Sequence, residues 1–287
     1  MPALPTTVRP PPKALLAAER PRLVRACRLS GLAYCEPQEL RRSGQLPEGA
    51  VDLPTYHDGC RSFVAHTCKA QVWRFDDDAS VWVAFRGSTS LEDIADNARC
   101  IRTRVRLPNH AQFEHVYMHS GFTEQFVSIQ GTLEADLLRR LTSRETVREV
   151  CFVGHSMGDA LAQIAALYFG SLLRVAHPRV RVSSIGFGGP MFGAGMDLED
   201  AFAACVPSQL RVVNEEDIVP SLPPPLFNFK HAAPALWLRH GSPEVRWNDS
   251  ATSLLDKAKC GIWQFSRPLK FVEDHAIGAY LEHIEKY

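Results

Sequence analysis

The sequence has no excess of charge and no long apolar run. Lysine plus arginine number 32 among 287 residues, as do aspartate plus glutamate, so the formal net charge is zero. A balanced charge gives no reason to expect a nucleic acid or an anionic membrane as a partner. A transmembrane helix needs about 18 or more consecutive apolar residues, and no segment reaches that length. With 45% hydrophobic and 22% charged residues, the composition is that of an ordinary globular protein.

The cysteines and the first residues bear on the cellular compartment. None of the eight cysteines forms a C-x-x-C pair. We therefore expect free thiols, although the even count leaves disulfides possible. Residues 1–13 are rich in proline and lack the apolar core of a secretory signal. We predict a disordered or extended tail over 1–13 and an intracellular, cytoplasmic protein.

Short β-branched segments alternate with amphipathic ones along most of the chain. A first helix is predicted over 15–34, divided at Pro21, and a last one over 273–287. Alternating strands and helices predict an α/β protein with a mainly parallel central sheet flanked by helices, and a single domain over 14–287. The predicted strands are 62–65, 71–75, 81–85, 149–153, 180–187, 209–214 and 233–239.

The segment Gly154-His155-Ser156-Met157-Gly158 joins a predicted buried strand to an amphipathic helix. Such a sharp turn needs a small residue on each side of Ser156, because a larger side chain would strike the neighbouring backbone. It raises the serine hydroxyl above the sheet edge, beside the first N–H groups of the helix. The pattern favours a serine nucleophile that attacks a carbonyl. An ordinary glycine-rich turn is the alternative.

An acid and a base follow Ser156 in the order that such a nucleophile requires. Asp217 lies just past a predicted strand, 61 residues after Ser156, and His275 lies 58 residues further, at the start of the last predicted helix. The imidazole would accept the serine proton and the carboxylate would orient the imidazole. Two alternatives remain open: Asp217 as a surface turn residue, and His283 as the base. His283 is expected to face solvent from the middle of the helix.

Five segments in this order resemble the class 3 lipase family of α/β-hydrolases. They are 83–88, 119–122, 154–158, 186–190 and 214–220. The resemblance implies an α/β-hydrolase fold, with Ser156 as nucleophile and Asp217 as acid. It also implies an oxyanion hole formed by the Met157 N–H with the N–H and hydroxyl of Ser88. The C-terminal third matches more loosely, and His275 fits the family's histidine before a terminal aromatic helix.

The resemblance further implies hydrolysis of carboxylic ester bonds in acylglycerol-like lipids through an acyl-Ser156 intermediate. The expected partner is a lipid or ester substrate, at a lipid–water interface, with no metal or organic cofactor. Two alternatives use the same residues: a weakened lipase-like protein that binds a lipid or a partner, and an acyltransferase. The amphipathic segment 91–98 is interpreted as a lid or as a plain surface helix.

Asp159 stands where the family usually has a second glycine after the nucleophile. A carboxylate in the first turn of a helix is favourable for the helix. Near a developing oxyanion, however, the same charge would oppose catalysis. From the sequence we expect Asp159→Gly to raise the turnover number and to lower the melting temperature.

Overall fold

An eight-stranded, mainly parallel sheet forms the centre of the molecule. The computed structural model describes residues 12–43, 55–59, 67–88, 101–143, 146–214, 217–223, 225–238, 245–248 and 273–286. The strands are β1 (Thr55–Gly59), β2 (Thr67–Phe75), β3 (Ser80–Phe85), β4 (Arg102–Arg104), β5 (Tyr117–His119), β6 (Glu149–His155), β7 (Arg181–Phe187), β8 (Gly193–Ala194), β9 (Ser208–Asn214), β10 (Ala235–Leu238) and β11 (Val245–Asn248).

The strand order in the large sheet is β1-β2-β3-β6-β7-β9-β10-β11. Strands β3, β6, β7, β9 and β10 run parallel, while β1, β2 and β11 add antiparallel edges. Phe85 pairs with Gly154 and Gly154 with Gly186, so the carboxyl ends of β3, β6 and β7 meet at one edge. The predicted α/β class is confirmed. Catalytic groups of such sheets collect beyond this edge.

Helices cover both faces of the sheet. They are α1 (Pro12–Leu32), α2 (Pro37–Ser43), α3 (Ser120–Ser143), α4 (Met157–Ala176), α5 (Leu198–Cys205) and α6 (Ile277–Lys286), with 3-10 turns at Val219–Ser221 and Pro225–Phe227. Along β3, Val83 faces the core shared with α3 and α4, and Trp82 faces the core shared with α1 and α6. Strands buried on both faces read as continuous apolar runs, which is why the sequence pattern located them. Strands β4, β5 and β8 form a separate small sheet.

Helix α1 differs from the prediction because it is continuous through Pro21. Proline has no N–H to donate within a helix, and its ring crowds the preceding turn. The helix nevertheless persists because Leu16 on one side of Pro21 and Leu23 on the other are both buried in the core shared with the sheet. It also begins at Pro12, inside the predicted tail, of which residues 1–11 lie outside the described part of the chain.

Helix α4 has the length and composition of a membrane span, but it is the central core helix. It is the one described helix that meets both criteria, and 72% of its apolar window is buried inside the protein. A helix that is apolar on most sides suits the interior of a large domain as well as a membrane. Two predicted elements, the strand 62–65 and the lid segment 91–98, lie outside the described residues.

Candidate active site

Ser156 occupies a strained turn between β6 and α4. Its backbone angles are φ 59° and ψ −133°, a region that L-residues rarely adopt. A Cβ on Gly154 would overlap the carbonyl oxygen of Gly158, and a Cβ on Gly158 would overlap that of Phe85. Both glycines are therefore required for the turn to pass so close to β3, as the sequence predicted. Backbone strain of this kind is typical of functional sites.

The Ser156 hydroxyl is buried and makes no hydrogen bond to any described residue. The residue is 1% exposed, and its Oγ has no partner within the described part of the chain. Its hydroxyl also makes no capping bond to α4, although Ser156 is the residue that precedes the helix. An unsatisfied buried hydroxyl costs about 1–3 kcal/mol of folding free energy. Such an oxygen is available to a substrate.

Asp217 and His275 form a buried acid–base pair. His275 Nδ1 lies 2.8 Å from Asp217 Oδ2, and the Asp217 side chain is fully buried. Two further donors reach the same carboxylate: the Val219 N–H at 2.9 Å and the Tyr280 hydroxyl at 2.6 Å. Three donors thus compensate the buried carboxylate for the loss of water. With Nδ1–H donating to Asp217, His275 Nε2 carries the free lone pair of a base.

His275 lies at the end of a helical turn, 273–275, that a break at Ala276 separates from α6. The last helix is therefore shorter than predicted. Across the described residues no hydrogen bond joins Ser156 Oγ to His275 Nε2, and both atoms are buried without a partner. In enzymes without substrate this bond is often long and forms only in the reacting complex. The structure thus pairs the predicted acid with the predicted base and leaves the predicted nucleophile unbonded.

His155 ties the loop of His275 to the nucleophile strand. Its Nε2 lies 2.6 Å from the His275 carbonyl oxygen, and its Nδ1 lies 2.9 Å from the Tyr34 hydroxyl. A carbonyl only accepts, so Nε2 carries the proton and Nδ1 accepts from the tyrosine. Burial, and next the neighbouring His275, lower the pKa of His155 to about 3. His155 is therefore neutral, and it packs beside the turn.

His283, the alternative base, contacts Asn214 through its ring. Its Nδ1 lies 3.0 Å from Asn214 Oδ1. It is 8% exposed, so the expectation that it faces solvent is wrong. The reason is tertiary: α6 turns this ring toward the end of β9, where Asn214 also donates to the Asp274 carbonyl at 2.9 Å. The geometry favours His275 as the base.

Ser88 and Met157 meet beside the turn, at the position expected for an oxyanion hole. Ser88 follows the carboxyl end of β3, and Met157 is the first residue of α4. The Ser88 hydroxyl donates to Met157 Sδ at 3.4 Å. A thioether is a weak acceptor. The Ser88 hydroxyl can therefore exchange this weak hydrogen bond for one to an oxyanion at a small cost in free energy.

The Asp159 carboxylate contacts α4 and the loop that follows β7. Gln163 Nε2 donates to its Oδ1 at 2.7 Å, and the Gly189 N–H donates to it as well. Burial raises the pKa of Asp159 to about 6, against the attraction of Arg211, which lowers it. These contacts do not support the expectation from sequence that Asp159 acts mainly by opposing the oxyanion.

Two functional contacts were not predicted from sequence. Tyr280 in α6 donates to Asp217, and Tyr34, two residues after α1, donates to His155. A tyrosine five residues after the candidate base is a signal that could have indicated the first contact. The second joins residues 121 positions apart, and no local pattern indicates it.

The described residues contain no group of three or more metal-ligating side chains close enough to hold an ion. The aspartates of the acidic turn after β2 form ion pairs with arginines. Asp76 pairs with Arg74 at 3.0 Å, and Asp77 and Asp78 both pair with Arg25.

Comparison with known proteins identifies the family. The family described as lipase (class 3) matches residues 82–227, about half of the chain. The chain belongs to the class 3 lipase family. The match spans Ser88, Ser156 and Asp217, while His275 lies beyond it.

Relatives from fungi agree with this assignment. The lipase of Rhizomucor miehei is 28% identical over 209 residues, which cover 69% of this chain and 52% of that protein. A secreted mono- and diacylglycerol lipase of Fusarium solani is 30% identical over 143 residues, or 48% of this chain and 39% of that protein. The chain thus spans about half the length, or less, of the curated relatives it matches. The structure of the Rhizomucor miehei triacylglyceride lipase superposes with a TM-score of 0.66 at 23% identity, covering 84% of this chain and 93% of that one. The fold is therefore that of the α/β-hydrolases.

The predicted intracellular, cytoplasmic location is wrong. The relatives of this class 3 lipase include a lipase that is named as secreted. Free cysteines do not identify the compartment, because a domain with a large core does not need disulfides in either compartment. Four described cysteines, Cys27, Cys35, Cys151 and Cys205, are indeed free.

Proposed function

We propose that this class 3 lipase hydrolyses carboxylic ester bonds of acylglycerol-like lipids through an acyl-Ser156 intermediate. The observation that carries the proposal is the buried Asp217–His275 pair beside a serine whose strained turn leaves its hydroxyl unbonded. Triacylglyceride and mono- and diacylglycerol lipases among the relatives support acylglycerols as the substrate class. A fungal lipase structure that serves as a model for interfacial activation supports a lipid–water interface as the place of action, and the secreted relative supports a place outside the cell.

In the first half-reaction Ser156 Oγ attacks the ester carbonyl while His275 Nε2 accepts the hydroxyl proton. Asp217 stabilises the imidazolium that results. The carbonyl oxygen becomes an oxyanion, which accepts hydrogen bonds from the Met157 N–H and from Ser88. When the tetrahedral intermediate collapses, the ester C–O bond breaks and His275 gives its proton to the departing alcohol.

The second half-reaction repeats these roles with water. His275 removes a proton from a water molecule, which attacks the acyl carbonyl. The bond to Ser156 Oγ then breaks, the serine regains its proton from His275, and a carboxylic acid leaves. The neutral His155 holds the carbonyl of His275 throughout, so the base keeps its orientation in both steps.

The extent of the domain stays a proposal. We propose that residues 14–287 form a single domain and that residues 1–13 are an extended tail. Contacts between the two ends of the chain support one domain, since α1 packs against α6 and Cys27 Sγ lies 3.6 Å from the Ile277 carbonyl.

The test of the proposed function is covalent labelling followed by hydrolysis. A fluorophosphonate probe should label the protein, and Ser156→Ala should abolish both labelling and ester hydrolysis without changing the melting temperature greatly. Ser143→Ala, at the exposed end of α3, is the control and should behave as wild type. A series of soluble and emulsified esters of increasing chain length then defines the substrate. Labelling that persists in Ser156→Ala would refute the assignment.

A further inference from the structure

We propose that Asp159 is a positioning residue of this site. Its buried carboxylate fixes the loop after β7 against the Asp217–His275 pair, with Arg211 as its charge partner. The inference rests on the proposed function, because it concerns the geometry of the same acid and base. It also reverses the expectation from sequence that Asp159 acts as a competing charge.

The loop after β7 is shaped around the Asp159 carboxylate. A Cβ on Gly186, in β7, would overlap Oδ1, and a Cβ on Gly189 would overlap Oδ2. The Gly189 N–H donates to the carboxylate. The carboxylate thus lies against bare backbone on two sides and accepts a hydrogen bond from the loop. Any larger residue at either glycine would displace it.

The opposite side of this loop contacts the acid–base pair. Gly188, with φ +61°, lies between Gly189 and β7. A Cβ on Gly188 would overlap Asp217 Oδ2 and would lie 3.2 Å from His275 Nδ1. One residue of the loop therefore touches the pair while the next is held by Asp159. A shift of the loop would therefore alter the geometry of the hydrogen bond between Asp217 and His275.

Buried charges and amides keep the carboxylate in this place. Gln163, one helical turn further along α4, donates to Asp159 and accepts from Gln209 Nε2 at 2.6 Å. Arg211 is the residue that pairs with Gly186 in the sheet register, and it is 4% exposed. Its Nη1 donates to the Ala233 carbonyl at 3.0 Å. Asp159 thus connects α4 to the end of β7 and to the loop that follows it, where Gly188 lies against the acid and the base.

Loss of Asp159 should therefore damage catalysis and leave substrate affinity intact. A displacement of about 1 Å in a catalytic group can cost on the order of 100-fold in rate. We expect Asp159→Ala to lower kcat about 10- to 100-fold on a soluble short-chain ester, with KM unchanged. The rate of fluorophosphonate labelling should fall in parallel. Asp159→Asn retains an acceptor for Gly189, so its kcat should lie between those of wild type and Asp159→Ala.

The matched control is Asp136→Asn, which removes a buried carboxylate from its pair with Arg140 in α3. It should lose stability but keep wild-type kcat. Arg211→Met should also lower kcat, because it removes the positive charge whose attraction favours the buried Asp159 carboxylate. If Asp159→Ala does not fold, the kcat of the isosteric variant Asp159→Asn tests the inference instead.

Wild-type or increased kcat in Asp159→Asn and Asp159→Ala would overturn the inference, as would a fall in kcat of equal size in Asp136→Asn. If wild type is labelled and hydrolyses esters, such results refute the role of Asp159 alone. If wild type is neither labelled nor active, the proposed function fails and this inference fails with it.

Discussion

The pH dependence of folding stability offers a sharp test of the site, through His155. A protonated His155 would lose the acceptor that Tyr34 needs and would place a positive charge against His275. Burial therefore lowers the pKa of His155 from 6.5 in the unfolded chain to about 3 in the folded protein. Because the folded pKa is the lower one, the unfolded chain takes up the proton first as the pH falls. His155 thus stabilises the fold above about pH 6.5, and this contribution is lost on acidification.

The magnitude follows from linkage. Each pH unit between the two pKa values changes the unfolding free energy by about 1.4 kcal/mol. From about pH 7 to about pH 5, His155 alone should therefore remove about 2 kcal/mol of stability. Other histidines titrate over the same range, so the quantity to measure is the difference between wild type and His155→Gln. Glutamine can still donate to the His275 carbonyl but takes up no proton.

The assay is urea unfolding followed by tryptophan fluorescence at several pH values in this interval. Wild type should be more stable than His155→Gln near pH 7, and its advantage should shrink by about 2 kcal/mol toward pH 5. His115→Gln, which changes an exposed histidine, is the control and should show no such convergence. If the difference in unfolding free energy between wild type and His155→Gln does not change with pH, His155 is not a buried histidine with a lowered pKa.

Two further predictions concern the reacting groups. His275→Ala and Asp217→Asn should each lower kcat by several orders of magnitude, whereas His283→Asn should keep most of the activity; the opposite ranking of the two histidine variants would move the base to His283. Ser88→Ala should lower kcat by about 100- to 1,000-fold with little change in KM on a soluble ester, since a donor to the oxyanion acts in the transition state. An unchanged kcat would remove Ser88 from the oxyanion hole.

The parts of the site that are contiguous in sequence could be predicted. The turn at Ser156 is visible because strand, glycines and helix follow one another, and Asp217 is visible because it closes a strand. Parallel strands buried on both faces made the α/β class predictable in the same way. In each case the structure is determined by neighbours along the chain.

The parts of the site that depend on residues distant in the sequence could not be predicted. Periodicity shows that His283 lies on α6 but not that Asn214 lies opposite its ring. Likewise, the sequence shows a carboxylate in the first turn of α4, but its direction depends on Gly189 and Arg211, which belong to other elements. Pro21 gives the same lesson for the fold, since packing on the sheet overrides the local preference for a break.

The environments of His155 and His275 explain how two adjacent imidazoles have different roles. Their ring centres are 4.6 Å apart. His275 donates to a carboxylate, which stabilises the imidazolium that forms when it accepts the serine proton. The ring nitrogens of His155 bond to a hydroxyl and a carbonyl, and its lowered pKa keeps it neutral. If both rings could take up protons, the charge on His155 would oppose the charge that His275 must gain at each turnover. A histidine that stays neutral can therefore hold the base in place without competing for its proton.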